Sequence, residues 1–199
     1  VNKMKELIER YPQLNICKND IENALALMID TYKKGGKILV CGNGGSSADA
    51  DHIVGELMKG FLKSRKVTDA RIPQELREKL QGALPAISLS AHTSLMTATI
   101  NDNDADMVFA QQVYGYAKDN DLLIAISTSG NSQNVVNAVK VAKSLGIKTI
   151  ALTGETGGEL KQFADVTICA PSTETYKIQE YHLPIYHYLC AKVENEFFE

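Results

Sequence analysis

Short apolar runs alternate with longer amphipathic segments along this chain. Five of the runs are rich in Ile, Leu, Val and Ala and are bounded by Gly, Pro or Asp, which is typical of strands buried on both faces of a parallel sheet. These predicted strands lie near residues 37–41, 85–89, 121–127, 147–152 and 166–169. Helical patterns lie between them, near residues 47–60, 91–100, 106–117, 132–145 and 157–163. The alternation predicts an α/β fold, a three-layer α/β/α sandwich around a five-stranded parallel sheet.

Further helices are predicted at both ends of the chain. A helical region covers about residues 2–34 and ends at a Gly-Gly pair, and about residues 176–198 have the pattern of one long last helix. Pro184 is expected to interrupt or kink that helix, because proline removes a backbone donor and crowds the preceding turn. No linker or low-complexity stretch divides the sequence, so residues 1–199 are expected to form a single domain.

One segment, about residues 62–84, does not follow the alternation. It carries a block of charge, and Pro73 and Gly82 stand near the start and just beyond the end of an expected short helix. A solvated surface excursion is one interpretation of this inserted segment. A part in shaping the entrance of a site or a contact between subunits is the other.

Composition limits the class of protein. The 199 residues are 44% hydrophobic and 23% charged, which is ordinary for a globular domain, and a formal net charge of −3 argues mildly against a dedicated nucleic-acid binder. No apolar run approaches the ~20 residues of a membrane span, and the N-terminal stretch is charged and amphipathic, unlike a signal peptide. Because the first residue is Val1, the numbering is expected to begin inside the native chain or after a processed tag.

The cysteines point to a reducing compartment. The chain has four of them without any Cys-x-x-Cys spacing, at Cys17, Cys41, Cys169 and Cys190. We expect all four to be reduced thiols in a cytoplasmic protein. Cys41, at the end of a predicted strand, is expected to behave as a small buried hydrophobe, with a catalytic thiol as the alternative.

The turn at residues 127–132 is the most informative stretch of the sequence. An apolar run ends there in Ser-Thr-Ser-Gly-Asn-Ser, and a helical pattern begins at once with Gln133. Backbone N–H groups, the positive end of the helix dipole and clustered hydroxyls suit a phosphate group, although a serine-rich helix cap is the plainer interpretation. The turn lacks the lysine of a nucleotide P-loop and the Gly-x-Gly-x-x-Gly of a dinucleotide fold, so a nucleotide is not the first expectation.

A second unit of the same kind favours the phosphate interpretation. The predicted strand that ends at Cys41 is followed by Gly-Asn-Gly-Gly-Ser-Ser, residues 42–47, and then by a helix. Glycines in a short turn let a ligand approach the backbone closely. Two such turns at one edge of a parallel sheet would face a single cleft, where α/β proteins usually bind ligands.

The helix after the glycine-rich turn carries ionisable side chains on one face. Asp49, His52 and Glu56 are spaced three and four residues apart on a helix that is otherwise largely apolar. A carboxylate there is costly unless it is hydrogen-bonded, paired or bound to a metal. His52 and Glu56 make half of a workable zinc site, and an intrahelical hydrogen bond is the alternative. Gln179 and His187, within about 80° of each other around the last helix, offer the second half, with core histidines as the alternative.

Together these motifs resemble the sugar isomerase (SIS) domain family. The resemblance rests on three separated motifs in order: Gly42-Asn43-Gly44-Gly45-Ser46 with Asp49, His52 and Glu56; Ser127-Thr128-Ser129-Gly130-Asn131-Ser132; and Ile178-Gln179-Glu180 with His182 and His187. Within that family the chain is most similar to the phosphoheptose isomerases, also called sedoheptulose-7-phosphate isomerases, over nearly its whole length. The resemblance implies the flavodoxin-like SIS fold with flanking N- and C-terminal helices.

The resemblance also implies an enzyme, an aldose–ketose isomerase. The implied reaction converts sedoheptulose 7-phosphate to D-glycero-D-manno-heptose 7-phosphate through an enediol(ate), in the heptose biosynthesis that serves lipopolysaccharide. Glu56 is the expected base and His187 the partner acid or base. One zinc ion per subunit is implied, with the ligands His52, Glu56, Gln179 and His187. His182 is expected to have a supporting role, and whether Glu56 acts as base, as ligand or as both stays open.

Substrate contacts are carried over from the same resemblance. The implied binding residues are Asn43, Gly44, Gly45, Glu56, Asn101, Asp102, Ser127, Thr128, Ser129, Ser132 and Gln179. The hydroxyls of residues 127–132 would hold the phosphate, and the glycine-rich turn would bind sugar hydroxyls or offer backbone donors. For Asn101 and Asp102 a polar turn is the alternative. Lys177 stands where the family usually has Arg before Ile-Gln, so another ketose phosphate is an alternative substrate.

The expected partners are a phosphorylated sugar and further copies of the chain, with neither nucleic acid nor membrane. The resemblance implies a homotetramer with sites at subunit interfaces, a dimer being the alternative, and His187 would serve either its own or a neighbouring subunit's cleft. Some SIS proteins are instead phosphosugar-sensing regulators or adaptors that bind the replication initiator, and residues 95–102 resemble that adaptor branch. The adaptors lose the positions that match Glu56 and His187, so the sequence favours an enzyme.

Overall fold

A five-stranded parallel sheet lies at the centre of the computed structural model, which describes residues 3–198. The strands are β1 Ile38–Gly42, β2 Ala86–Ser88, β3 Leu122–Ile126, β4 Lys148–Thr153 and β5 Val166–Cys169. They pair in the order β2-β1-β3-β4-β5, the flavodoxin-like order. The predicted α/β/α sandwich around a parallel sheet is therefore confirmed, with strand bounds within a few residues of those expected.

Helices cover both faces of the sheet. They are α1 Lys3–Arg10, α2 Lys18–Lys33, α3 Gly45–Met58, α4 Gln74–Arg77, α5 Thr93–Asp102, α6 Val108–Tyr116, α7 Gln133–Ser144, α8 Leu160–Phe163 and α9 Thr175–Phe197, with 3₁₀ turns at Pro12–Cys17 and Ala105–Met107. Side chains alternate along a strand, so Ile38 and Val40 pack with α1, α2, α3 and α9, whereas Leu39 and Cys41 pack with α6, α7 and α8. The two apolar layers hold the carboxyl ends of β1 and β3 in fixed register.

The helical ends of the chain differ from expectation in two places. The predicted N-terminal region contains two helices, because Pro12 begins a 3₁₀ turn between them; residue 2 lies outside the described residues. Of the two effects expected at Pro184, an interruption or a kink, the interruption is wrong, since α9 continues through it from Thr175 to Phe197. A proline in a helix interior costs about 3 kcal/mol, and burial of Ile185, Tyr186 and their apolar neighbours offsets that cost.

The inserted segment has an exposed tip and a buried base. Its helix, α4, is only one turn long, and Leu76 within it and Leu80 just after it are half exposed to solvent. At the base, Arg65 is only 2% exposed, and its Nε donates to Oε1 of Glu194 in α9 at 2.8 Å. The segment is thus fixed to the last helix at the point where it leaves α3.

Two further observations concern membrane-spanning helices and the state of the cysteines. Among the helices formed by residues 3–198, none combines the length and the apolar character needed to cross a membrane. All four cysteines are free; three are buried, and Cys169 is half-buried.

Candidate active site

The two turns predicted to share a cleft lie side by side, at the carboxyl ends of β1 and β3. These strands are neighbours in the sheet, and the chain moves outward from them in opposite directions, which is where α/β folds bind ligands. Asn43 in the first turn and Asn134 in α7 exchange two amide hydrogen bonds, each with an N–O distance of 2.9 Å. Asn134 was not predicted, because no local pattern indicates a pairing across 91 residues.

The glycine-rich turn needs its glycines for two different reasons. Gly44, the N-cap residue directly before α3, has a φ of +55°, a conformation that L side chains rarely adopt. At Gly45 the reason is space, since a Cβ there would lie 2.5 Å from Nε2 of Gln179. The amide of Gln179 therefore packs directly against the turn.

The hydroxyl-rich turn offers donors to an anion. Ser127 is buried, and its Oγ donates to Oγ of Ser132 at 3.1 Å, whereas Ser129 is exposed and Thr128 is half-buried. Ser132 begins α7, and its backbone carbonyl accepts the N–H groups of the first turn. Among the described residues, no side chain caps this helix end, so its remaining N–H groups and the hydroxyls can bind a phosphate.

The loop after β4 packs against this turn and forms hydrogen bonds with it. Gly130 has a φ of +70°, and a Cβ on it would lie 2.1 Å from the carbonyl oxygen of Gly157. Oδ1 of Asn131 accepts the N–H of Glu159 at 2.8 Å, and Gly154 donates its N–H to the carbonyl of Thr128 at 2.9 Å. Gly130 and Asn131 thus shape the turn through their contacts with the loop after β4.

His52, Glu56 and His187 come together between α3 and α9. Nε2 of His52 lies 3.0 Å from Oε1 of Glu56 and 3.4 Å from Nε2 of His187. One ligand atom from each residue lies within 4.8 Å of the other two. Two imidazole nitrogens and a carboxylate oxygen are a donor set that zinc uses in catalytic sites, with a further position open. His52 and Glu56 therefore lie within hydrogen-bonding distance, and three of the four predicted ligands form a group that could hold a metal ion.

Burial shifts the pKa of His187 in this cluster and that of the neighbouring Asp49. The side chain of Glu56 is 13% exposed and that of His52 is 43% exposed. The pKa of His187 is lowered, because partial burial disfavours the imidazolium form and His52 repels it. For Asp49, burial raises the pKa of the carboxyl, against the opposing effects of the Tyr186 hydroxyl and of His52. A neutral His187 can accept a proton or bind a metal.

Gln179 lies at the neighbouring glycine turn. Its contact with Gly45, and that of His187 with His52, show that α3 and α9 run side by side in the same direction. Along α9, Gln179 precedes His187 by about two helical turns. The structure therefore groups three of the four predicted zinc ligands closely and places the fourth beside the start of α3.

Four other residues that the sequence motifs pointed to have partners outside the cluster. Asn101 and Asp102 end α5, where both are exposed and the Asn101 amide donates to Oδ1 of Asp102 at 2.7 Å. His182 is fully buried, and its Nε2 donates to the carbonyl of Thr153 at 3.1 Å, which ties α9 to the end of β4. Lys177 pairs with Glu174 at the surface.

The contact of Tyr186 with Asp49 and His52 is a second one that the sequence did not indicate. Its hydroxyl lies 3.1 Å from Oδ1 of Asp49 and 3.0 Å from Nδ1 of His52. A tyrosine in an apolar stretch of a packed helix has the pattern of a core residue, so only the position directly before His187 could have drawn attention to it.

Comparisons with known proteins agree with the motif resemblance. Profiles of the SIS domain match residues 86–188 and residues 1–83. The phosphoheptose isomerase of Aliarcobacter butzleri is 44% identical over 176 residues, which cover 88% of this chain and 85% of that protein. The phosphoheptose isomerase of Akkermansia muciniphila is 37% identical over 197 residues, 99% and 96% of the two chains. The solved phosphoheptose isomerase of Neisseria gonorrhoeae superposes with a TM-score of 0.79 at 34% identity, covering 96% of this chain and 94% of that one.

Proposed function

The chain belongs to the SIS domain family, among relatives named phosphoheptose isomerases, and we propose that it converts sedoheptulose 7-phosphate to D-glycero-D-manno-heptose 7-phosphate. The observation that carries the proposal is that α3, which begins at the glycine-rich turn, brings Glu56 and His52 together with His187 of α9. An aldose–ketose isomerisation needs a base, a group that moves a proton between two oxygens, and a place for the phosphate. Each requirement has a candidate in the cleft.

Phosphate binding is assigned to the turn between β3 and α7. The hydroxyls of Ser127, Thr128, Ser129 and Ser132 and the free N–H groups of α7 supply neutral donors. The helix dipole adds an attraction of about 0.3–1 kcal/mol for a negative charge. The glycine-rich turn, with Asn43 held by Asn134, then faces the sugar hydroxyls.

Glu56 is the proposed base for the carbon-bound proton. Its carboxylate is mostly enclosed, and Oε1 faces His52, so we assign proton transfer to Oε2. Glu56 takes the proton from C1 of the ketose and returns it to C2. His187, neutral because of burial and of His52, accepts the proton of the O1 hydroxyl and passes it to O2.

Zinc is the cofactor that this donor set fits, one ion per subunit. His52 and Glu56 would hold it, with Gln179 as the further ligand that the resemblance implies; His187 would either complete the ligand set or move the proton between the two oxygens, since one imidazole lone pair cannot do both at once. When bound, the ion would polarise the sugar carbonyl and stabilise negative charge on the enediolate oxygen. One chain brings both histidines together, which supports a cluster supplied by a single subunit.

Assembly and cellular setting complete the proposal. Family resemblance supports a homotetramer in the cytoplasm that serves heptose synthesis for lipopolysaccharide, and sedimentation equilibrium reports the assembly directly. The non-catalytic alternative, a phosphosugar-sensing or initiator-binding SIS protein, does not need the acidic and imidazole groups. Their presence in one cluster favours the enzyme.

A Glu56→Gln variant tests the assignment of the base. We expect kcat for sedoheptulose 7-phosphate to fall by about 10²–10⁴, since the amide cannot take up the carbon-bound proton. NMR of the sugar in time courses measures the new aldose. Asp51→Asn, on the same helix but exposed, is the matched control and should leave kcat unchanged. Wild-type turnover in Glu56→Gln would exclude Glu56 as the base.

A further inference from the structure

The hydroxyl of Tyr186 lies behind His52, on the ring nitrogen that does not face the cluster. It is 3.0 Å from Nδ1 of His52 and 3.1 Å from Oδ1 of Asp49, and Tyr186 is only 2% exposed. We propose that Tyr186 is a positioning residue: with Asp49, it fixes the tautomer and the ring orientation of His52 so that Nε2 is available to a metal. The inference rests on the zinc site of the proposed function and deepens it.

The order of protons along this chain follows from Asp49. A tyrosine hydroxyl has one hydrogen and can donate it to only one of two neighbours. Within residues 3–198, the bond from Tyr186 is the only hydrogen bond to the Asp49 carboxylate, and its Oδ2 is buried without a partner. Donation to Asp49 therefore avoids leaving both oxygens of a partly buried carboxylate unsatisfied. The hydroxyl oxygen then accepts, and the proton must come from Nδ1 of His52.

A proton on Nδ1 determines what the other nitrogen can do. Nε2 of His52 is then left with its lone pair directed at Oε1 of Glu56, 3.0 Å away, and at Nε2 of His187, 3.4 Å away. Electron pairs that converge in this way are suited to a cation. Metal-binding histidines usually donate their second N–H to a carboxylate or a carbonyl, which fixes the tautomer. In this protein the Tyr186 hydroxyl lies between the His52 imidazole and the Asp49 carboxylate.

Ring packing supports the same orientation. The rings of His52 and Tyr186 meet edge to face with centroids 5.3 Å apart, and Tyr186 and His187 do so at 5.2 Å. Tyr186 directly precedes His187 in α9, so one turn of this helix carries both a proposed ligand and the group that orients another. Loss of the hydroxyl would free the His52 ring to turn and would leave Asp49 unpaired.

The chain offers a matched control on the same helix. Tyr188 is also buried, and its hydroxyl donates to Oε1 of Glu22 at 3.0 Å. Tyr186→Phe and Tyr188→Phe therefore each remove one hydroxyl bonded to a carboxylate. Only the first hydroxyl touches the cluster.

Zinc affinity of the purified chain, measured by competition with a chromophoric chelator, tests the inference without any sugar. We expect Tyr186→Phe to bind zinc about 10–100-fold more weakly, whereas Tyr188→Phe binds as the wild type does. Thermal unfolding of the zinc-free proteins checks that both variants fold. Wild-type affinity in Tyr186→Phe, or an equal loss in Tyr188→Phe, would overturn the assignment.

A second measurement needs no variant. Long-range ¹H–¹⁵N NMR of the zinc-loaded wild type should show His52 protonated at Nδ1 and metal-bound at Nε2. Zinc on Nδ1 would contradict the inference while leaving the metal site itself intact. A wild type that binds no zinc would remove both the metal site and this inference. The sugar conversion would then still be open to measurement, so the two failures are distinguishable.

Discussion

The packing of the Gln179 amide against Gly45 couples the glycine-rich turn to α9. Gly45 has no positive φ, so its backbone tolerates a side chain. The end of the Gln179 amide, however, occupies the space that a Cβ at Gly45 would need. The amide is the flexible end of a long side chain and can move away. A methyl group at Gly45 should therefore affect the site more than the fold.

A Gly45→Ala variant should keep its stability while losing function. Replacing glycine where the backbone is compatible stabilises by about 0.4–1 kcal/mol, which offsets the cost of moving Gln179. Displacement of a proposed ligand and substrate contact should raise KM or weaken zinc binding severalfold. Chemical denaturation and steady-state kinetics on the same preparation measure the two effects. Gly55→Ala, with open space at its Cβ position, is the control; an equal loss in both would contradict the role of Gln179.

His182 makes stability depend on pH. Burial lowers its pKa to about 4 because the charged imidazolium is disfavoured, although the bond to the Thr153 carbonyl acts in the opposite direction. The unfolded chain, with an ordinary histidine pKa near 6.5, binds the proton more readily. Stability contributed by the neutral imidazole is thus present above about pH 6.5 and is lost as pH falls towards 4, by roughly 3 kcal/mol in total.

A His182→Gln variant isolates this effect. Its amide can still donate to the Thr153 carbonyl but does not titrate, so the variant should lose less stability than the wild type between pH 7 and pH 4.5. Urea unfolding at a series of pH values measures the difference. Parallel pH curves for the two proteins would show that the buried imidazole is not the source.

At the scale of elements, the site depends on how α3 ends. Arg65 donates to the backbone carbonyls of Leu57 at 2.6 Å and of Glu56 at 2.9 Å, so it caps the last turn of α3. Its ion pair with Glu194 anchors that end to α9, and Glu194 also accepts the N–H groups of residues 61 and 62. Glu56, the proposed base, therefore lies in a helical turn that Arg65 holds directly and that Glu194 of α9 holds through Arg65.

Breaking this ion pair on one side should be costly. Arg65→Met leaves the buried carboxylate of Glu194 without its cation, for which we expect a loss of about 3–5 kcal/mol in the free energy of unfolding. The double variant Arg65→Met with Glu194→Met should recover part of that loss, because no buried charge remains. Denaturant unfolding measures both. Lys33→Met, which breaks the exposed pair with Glu196, should change stability by less than about 1 kcal/mol.

Elements were easier to predict than the contacts between them. Apolar runs and helical spacing located every strand of the sheet, because burial on both faces leaves a strong local pattern. The continuity of α9 through Pro184 could not be predicted, since packing of buried neighbours outweighs the local cost. Arg65 likewise looked like one charge in a polar block, and only its distant partner Glu194 explains its burial.

At the scale of the whole molecule, the order of the strands brings two turns that are far apart in sequence to the same cleft. The flavodoxin-like order places β1 beside β3, and the parallel packing of α3 and α9 brings the acidic and imidazole groups of these two helices together. Motifs in the sequence were sufficient to identify the family, and they indicated His52, Glu56 and His187, which the structure brings together. The Asn43–Asn134 pair and the Tyr186 bridge depend on tertiary contact, so no local pattern could indicate them.

The most direct test of the account is the conversion of sedoheptulose 7-phosphate by the zinc-loaded chain in D₂O, followed by NMR of the product. The Glu56 side chain is 13% exposed and lies 3.0 Å from the more exposed His52, so its proton can still exchange with solvent, and the account predicts deuterium at C2 of the new aldose phosphate. The same incorporation should disappear in Glu56→Gln together with turnover. Absence of conversion, or conversion without any deuterium at C2, would contradict an enediol route through Glu56.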